Sequence, residues 1–496
     1  GVCKGGHRCA PASTPRAALA LAARTQPLDR QHREGAVMKK LTRTGTILFV
    51  VLVVPAQSIA DSGIFPTDIP DFQDAVNSVS PGDTVLVEPG DWSAGYTFMP
   101  SGVTVAALNG DPASTTLRGH LHVRDRDGIV LRGLRFPSYQ AISCVSSEML
   151  FENVWMSYSG GYALYCEDSD VKVRTGTFYN NLQAVRAEGS NLSFEDVSFT
   201  YNGHTRNGAG LHAQDCHVTM ARCRFWQNEV GYFDYTNTSW TYGGQGAGAL
   251  LRDGSTLIAD DVDFDANHTW QAGAGLALVG AGTYAQIRGG SFTGNTTSTD
   301  ISSDGALQRG AALYVDGATA MLDGVWFSDN WSNSIGGAVY CEGGASVTVT
   351  NCVFVENASV GEGSAAYGPL QVANCTFVDN AAEFGSTIYA GEAQHIYNSI
   401  FCCTPGAIST TNTFLSHCCV WSSGTDGGKD RQNINADPLF CAYEAGDLTL
   451  CEDSPCLPEN NDWGELVGAL GVGCGPCDTA VEHMTWGAIK AMFRSQ

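Results

Sequence analysis

Few stretches of this chain carry residue types that do chemistry. Arg222 and Arg224 flank Cys223 beside Trp226. A guanidinium can grip a carboxylate or sit where a proton is removed, so these two are the catalytic candidates. Their plainer role is surface charge in an acidic protein. Downstream runs Asp260-Asp-Val-Asp-Phe-Asp265. Asp261, Asp263 and Asp265 project from it, and clustered carboxylates suit a hard cation such as Ca2+. One strand supplies too few ligands alone, so neighbours must contribute, and a solvated strand needs no ion. Between these groups lies Gly231-Tyr-Phe-Asp-Tyr-Thr-Asn-Thr-Ser-Trp-Thr-Tyr-Gly-Gly244. Tyr232, Tyr235, Trp240 and Tyr242 on this insertion, with Tyr179 and Trp226, are the candidate binding residues. Aromatic faces beside Asn, Asp and Thr suit the C–H faces of sugar rings. The alternative is that the loop covers a wide part of the fold with its own aromatics.

Two further groups are weaker. Arg118-Gly-His-Leu-His-Val-Arg-Asp-Arg126 alternates, so Leu121 and Val123 point in while Arg118, His120, His122, Arg124 and Arg126 point out. That face could hold a carboxylate-bearing sugar, or pair with neighbouring acids. Cys474-Gly-Pro-Cys477 has the spacing of a redox motif, but no βαβ pattern surrounds it.

What must position these residues is a repeat. Phe-x-x-Asn recurs eight times, from Phe178/Asn181 to Phe377/Asn380, with Phe-to-Phe spacings of 21, 26, 39, 28, 35, 27 and 23. A unit of this size means a solenoid. With Phe as position zero, positions −7, −5 and −2 are small or apolar each time. Alternation from −7 to −5 and from −2 to 0 is strand period two. The parity slips once between, where Asp196, Asp260, Asp261, Asp323, Asn351 and Asn374 sit, which predicts a bend. After most Asn positions comes a Gly/Ala-rich segment, such as Gly246-Ala-Gly-Ala-Leu, read as a third short strand. The fold class is therefore all-β: a single-stranded parallel β-helix with Phe stacked inside, Asn stacked at a corner and a short N-terminal capping helix.

At this point the chain resembles the right-handed parallel β-helix proteins of the pectin-lyase-like superfamily, over roughly residues 65–475. The Phe-x-x-Asn and Gly-Gly-Ala elements are most similar to the polymorphic outer-membrane-protein repeat. The superfamily contains lyases, hydrolases and non-catalytic surface proteins, so the resemblance implies a fold and leaves the activity open. Asn-Thr-Asp, Gly-Asp-Asp, Gly-His-Gly and Arg-x-Lys of polygalacturonase-like hydrolases are absent, as is the Trp-x-Asp-His signature of one pectate-lyase family. A lyase also needs a cationic or metal site beside the uronate.

Charge and cysteine narrow the partners. Met38, Lys39, Lys40, the apolar run Ile47–Val54 and Ser58-Ile-Ala60 read as a secretory signal. Without residues 1–60 the chain keeps 18 basic and 49 acidic residues, a net of −31, and three lysines. Such a surface repels nucleic acid. No stretch is long and apolar enough for a transmembrane span. Sixteen cysteines follow residue 60, and an exported chain permits disulfides. Cys223, Cys352 and Cys375 at position −2 read as stacked core; those from Cys402 to Cys477 read as disulfide-forming. The expected organisation is an upstream segment 1–37, a signal peptide 38–60, a cap and first strand 61–100, a parallel β-helix 101–403, a Cys-rich closing segment 404–477 and a tail 478–496. The expected function is a secreted or cell-surface, non-catalytic protein that binds carbohydrate, as a polysaccharide or cell-surface glycan, or another surface partner. The alternative is a polysaccharide lyase or glycoside hydrolase. No cofactor is required by the first reading; Ca2+ is the candidate ion.

Overall fold

The computed structural model describes residues 62–137, 141–205, 207–234, 239–241, 244–298, 308–390, 394–404, 413–421 and 432–477. The upstream segment, the signal, the tail, Tyr235 and Tyr242 lie outside them.

Turn follows turn in parallel. Strand Asp170–Tyr179 pairs in register with Glu148–Ser157 before it and Asn191–Thr200 after it. Tyr162–Glu167 lies likewise between Ile142–Val145 and Gln183–Glu188. A third sheet stacks seven short strands, from Gly203–Thr205 to Ala381–Ala382. The chain is thus a parallel β-helix, as the period and its slip require.

The slip shows directly in Asn191–Thr200. Leu192 and Phe194 face in, Glu195 and Asp196 face out, and Val197 and Phe199 face in again. The bend residue takes a left-handed backbone, with φ of 55° at Asp196, 53° at Asp261 and 53° at Asn374. Short polar side chains tolerate that conformation. Asp260 and Asp323 were expected there too, but each ends a strand, and the turn is made by Asp261 and Gly324. Arg222 also occupies a bend, with φ 52°.

The Gly/Ala segments are a second correction. They are corners, and the strands begin only at Leu211, Ala249, Leu276, Leu313 and Val339. Gly246 has φ 64°, and a Cβ on Gly248 would lie 2.4 Å from the Gly275 carbonyl oxygen and 2.9 Å from the Phe264 ring. The corner therefore presses onto the Phe stack, and a side chain there would hold it off.

Inside, Phe178, Phe199, Phe225, Phe264, Phe292, Phe327, Phe354, Phe377 and Phe401 stack with ring centroids 4.4–5.0 Å apart. The buried asparagines satisfy one another. Asn202 Nδ2 donates to Asn228 Oδ1 at 2.9 Å and to the Phe178 carbonyl at 3.0 Å; its Oδ1 accepts from the Asn181 backbone N–H and Nδ2. Every polar atom of that amide is used, which is what burial demands. Cys144, Cys166, Cys223, Cys352 and Cys375 are buried thiols.

At the N-terminal end, helix Phe72–Ser78 buries Phe72, Ala75 and Val76, and Asp71 caps it by accepting from Asp74 N–H at 3.0 Å. Gln73 then stands in for a missing strand. Its amide donates to the Phe98 carbonyl at 3.0 Å and accepts the Phe98 N–H at 2.8 Å. At the other end, strands Phe440–Ala442, Asp447–Cys451 and Val472–Cys474 form a small sheet. It is bridged by Cys441–Cys474 and Cys451–Cys477. Leu448, Leu450, Leu457 and Val467 from this segment pack in one apolar cluster with Val353, Val378 and Ile400 of the last turns.

Candidate functional site

Phe at zero and Asn at +3 both point in, so positions +1 and +2 of each turn point away from the helix core. That places Tyr179 and Trp226 outside, as expected. The structure sets Tyr158 and Tyr201 beside them from the intervening turns. Ring centroids are 5.6 Å apart for Tyr158–Tyr179, 5.9 Å for Tyr179–Tyr201 and 5.0 Å for Tyr201–Trp226, all edge to face. Tyr158 is 54% exposed and Tyr201 43%. The result is an aromatic strip running along the helix axis. Both ends carry a guanidinium. Arg135 lies 5.6 Å over Trp155 and 6.0 Å over Tyr158; Arg224 lies 5.2 Å over Trp226. The neighbouring Tyr158 hydroxyl raises the Tyr179 hydroxyl above its ordinary pKa.

Sequence reasoning missed Trp155, Tyr158, Tyr201 and Arg135. For the two tyrosines the signal was present at +2, while Trp155 and Arg135 lie at −1 of their turns. It is hidden because Tyr158 and Tyr201 sit at +2 while Tyr179 and Trp226 sit at +1, so no single column repeats.

The arginine candidates are engaged. Arg222 donates to Glu195 Oε1 at 2.6 Å and to Asp196 Oδ1 at 2.8 Å, and these partners raise its pKa further. Arg224 is ion-paired with Asp265. That pair also joins one cation candidate to one catalytic candidate. Asp263 accepts from Ser291 Oγ at 2.7 Å, and Asp261 holds its bend. The structure therefore sets these three carboxylates to separate tasks. Among the described residues, the sites where three metal-ligating atoms lie together are Cys441/Cys451/Cys474 and Cys451/Asp453/Cys477. The two disulfides occupy all four of those thiols.

Two short strands of the insertion lie within the described residues. Strands Tyr232–Asp234 and Ser239–Thr241 pair antiparallel, with Phe233 opposite Trp240. Near its base, a Cβ on Gly231 would overlap the Trp270 ring.

The Arg118–Arg126 face points outward as read. Arg118 pairs with Asp91 at 2.7 Å. Both histidines reach Ser143 Oγ, His120 Nε2 at 3.0 Å and His122 Nδ1 at 2.6 Å. Burial first, then the nearby positive groups, lowers both imidazole pKa values. This second patch carries the exposed rings Tyr96 and Phe98.

Parallel turns with Phe and Asn stacked inside define the class: a parallel β-helix, here with an outward aromatic strip on one flank. The chain belongs to the right handed beta helix region family, whose model matches residues 121–292 and 239–427. No curated protein matches it. Solved structures with a similar course include pectate lyase Pel9A, at 13% identity and TM-score 0.31, covering 81% of this chain and 91% of that one. The catalytic domain of a GH87 alpha-1,3-glucanase in complex with nigerose matches at 10% identity and TM-score 0.33, covering 73% and 67%. The siphovirus 9NA tailspike receptor binding domain matches at 11% and 0.22, covering 77% of each. These remote likenesses carry no argument about substrate.

Proposed function

We propose that this chain is an exported β-helix protein that binds a polysaccharide along the strip Trp155, Tyr158, Tyr179, Tyr201 and Trp226. The observation that carries this is the strip itself: four stacked turns each expose a ring where the core needs none. Large exposed aromatics in a row mark a binding surface. Arg135, lying over Trp155 and Tyr158 at one end, favours a glycan bearing carboxylates. The engaged state of Arg222 and Arg224 supports binding over catalysis. The extracellular or outer-surface setting rests on the signal-like stretch at residues 38–60, and the disulfides accord with an oxidising compartment. An exported chain should begin at Asp61, which amino-terminal sequencing reads directly.

The test is glycan binding by calorimetry over neutral and acidic polysaccharides, with and without Ca2+. The Ca2+ arm asks whether Asp261, Asp263 and Asp265 take part. Tyr179→Ala and Trp226→Ala should each weaken binding about tenfold, roughly 1.4 kcal/mol, with unchanged thermal unfolding. A parent that binds no glycan in the panel refutes the proposal. Release of an unsaturated uronate from any acidic glycan would establish the lyase alternative instead.

A further inference from the structure

The closing segment raises a separate question: what fastens it to the β-helix? Its two disulfides, Cys441–Cys474 and Cys451–Cys477, both lie within the segment. Neither reaches the turns it packs on. The polar contacts across the junction include Gly468 N–H to the Asn398 carbonyl at 2.7 Å and Ala469 N–H to Thr376 Oγ1 at 2.9 Å. Asn398 Nδ2 donates to Glu465 Oε2 at 2.7 Å, and the Tyr443 hydroxyl donates to Asp379.

Four thiols sit at this seam: Cys402, Cys403, Cys419 and Cys456. Cys419 belongs to the last turn. Its strand pairs with Ile400–Cys402, and its N–H bonds the Ser399 carbonyl at 2.9 Å. Cys456 belongs to the closing segment. Its N–H bonds Ser454 Oγ at 3.1 Å, and its carbonyl accepts from Val467 N–H at 2.9 Å. Both backbones are therefore fixed. Both side chains are fully buried in the same apolar cluster. Cys456 is the first influence on the Cys419 thiol, ahead of burial, and the Cys419 thiol also meets the Ala436 carbonyl at 3.3 Å. Cys418, next in sequence, points the other way, and its thiol meets the Ile396 carbonyl at 3.6 Å inside the helix.

We propose that Cys419 and Cys456 form a third disulfide, the one that ties the closing segment to the β-helix. The neighbouring pair is a poorer candidate. Cys402 and Cys403 have sulfurs 3.0 Å apart, but they are consecutive residues. Adjacent Cα atoms are about 3.8 Å apart, below the usual disulfide range of roughly 4.4–6.8 Å. A bond there would also cross no seam. In the proposed step each thiol gives up a proton and one sulfur–sulfur bond forms. The two electrons reduce a disulfide of a dithiol oxidase, the class of oxidant that accompanies export. The facing Cys456 thiol, and then burial, push the Cys419 thiol far above its ordinary pKa. The thiolate that attacks must form before the seam closes, so the bond is made during folding.

The test uses the full exported chain purified from an oxidising compartment as a folded monomer. Free thiols are alkylated under denaturing, non-reducing conditions, and the digest is mapped by mass spectrometry with electron-transfer fragmentation. The expected result is a Cys419–Cys456 linked peptide, with Cys402, Cys403 and Cys418 alkylated. Alkylation of both Cys419 and Cys456, in material where 441–474 and 451–477 are linked, would overturn the proposal. So would Cys456 joined to any other cysteine. In Cys456→Ser, Cys419 should become alkylatable while the other two bridges persist.

Discussion

At the scale of single residues, His212 is the most exposed to pH in its energetics, though not in its position. It lies 6% exposed on strand Leu211–Gln214, and its Nδ1 accepts from Arg186 Nη1 at 3.3 Å. Burial first, then Arg186 and Arg252 against Asp253, lowers its pKa from 6.5 to about 4. The folded state thus keeps the ring neutral where the unfolded chain protonates it. Stability is whole above about pH 6.5 and falls as pH drops toward 4, by on the order of 3 kcal/mol. Denaturant midpoints at pH 7 and pH 4.5 measure this, and His212→Gln should flatten the difference. A slope unchanged in His212→Gln would assign it to the carboxylates instead. Nothing in the sequence flagged this histidine, because its outward position looks solvent-facing until the Gly208 corner folds beside it. The left-handed backbone of Arg222 was hidden too, since Asp or Asn fills that place in several other turns.

At the scale of the element, the repeat was legible because its inward positions answer to one constraint each. Only a flat ring stacks at zero and only a short amide closes its bonds at +3, so Phe and Asn recur almost unvaried. Phe354 is 1% exposed with rings 4.7 Å and 4.8 Å away on either side. Phe354→Ala should cost about 3–5 kcal/mol in chemical denaturation. A loss below 1 kcal/mol would mean the stack relaxes around the gap. The Gly/Ala corners were misread as strands because Gly and Ala mark close approach as readily as a ladder. The outward strip was half legible. Its chemistry shows in Tyr179 and Trp226, but its continuity depends on which of two corner positions each turn uses, and only the register fixes that.

At the scale of the whole molecule, a solenoid must end without offering its edges. Gln73 answers for the first strand and the closing segment covers the flank of the last turns. The asparagine column has a consequence for the full length of the helix. From Asn181 to Asn380 each Nδ2 donates to the Oδ1 of the next turn, always in the same direction. Eight amide dipoles therefore lie head to tail on one line, and each polarises its neighbours, by about 10–30% per bond. The column behaves as one polarised wire with a receiving end at Asn181 and a donating end at Asn380. Asn228 and Asn330 stand three turns apart, about 14 Å, and share no bond. Were the bonds independent, Asn228→Ala and Asn330→Ala would add. In a polarised column the second break falls on a wire already shortened, so the double variant should lose less than the sum, by about 0.5 kcal/mol or more in a thermodynamic cycle. Strict additivity would reduce the wire to a row of separate contacts.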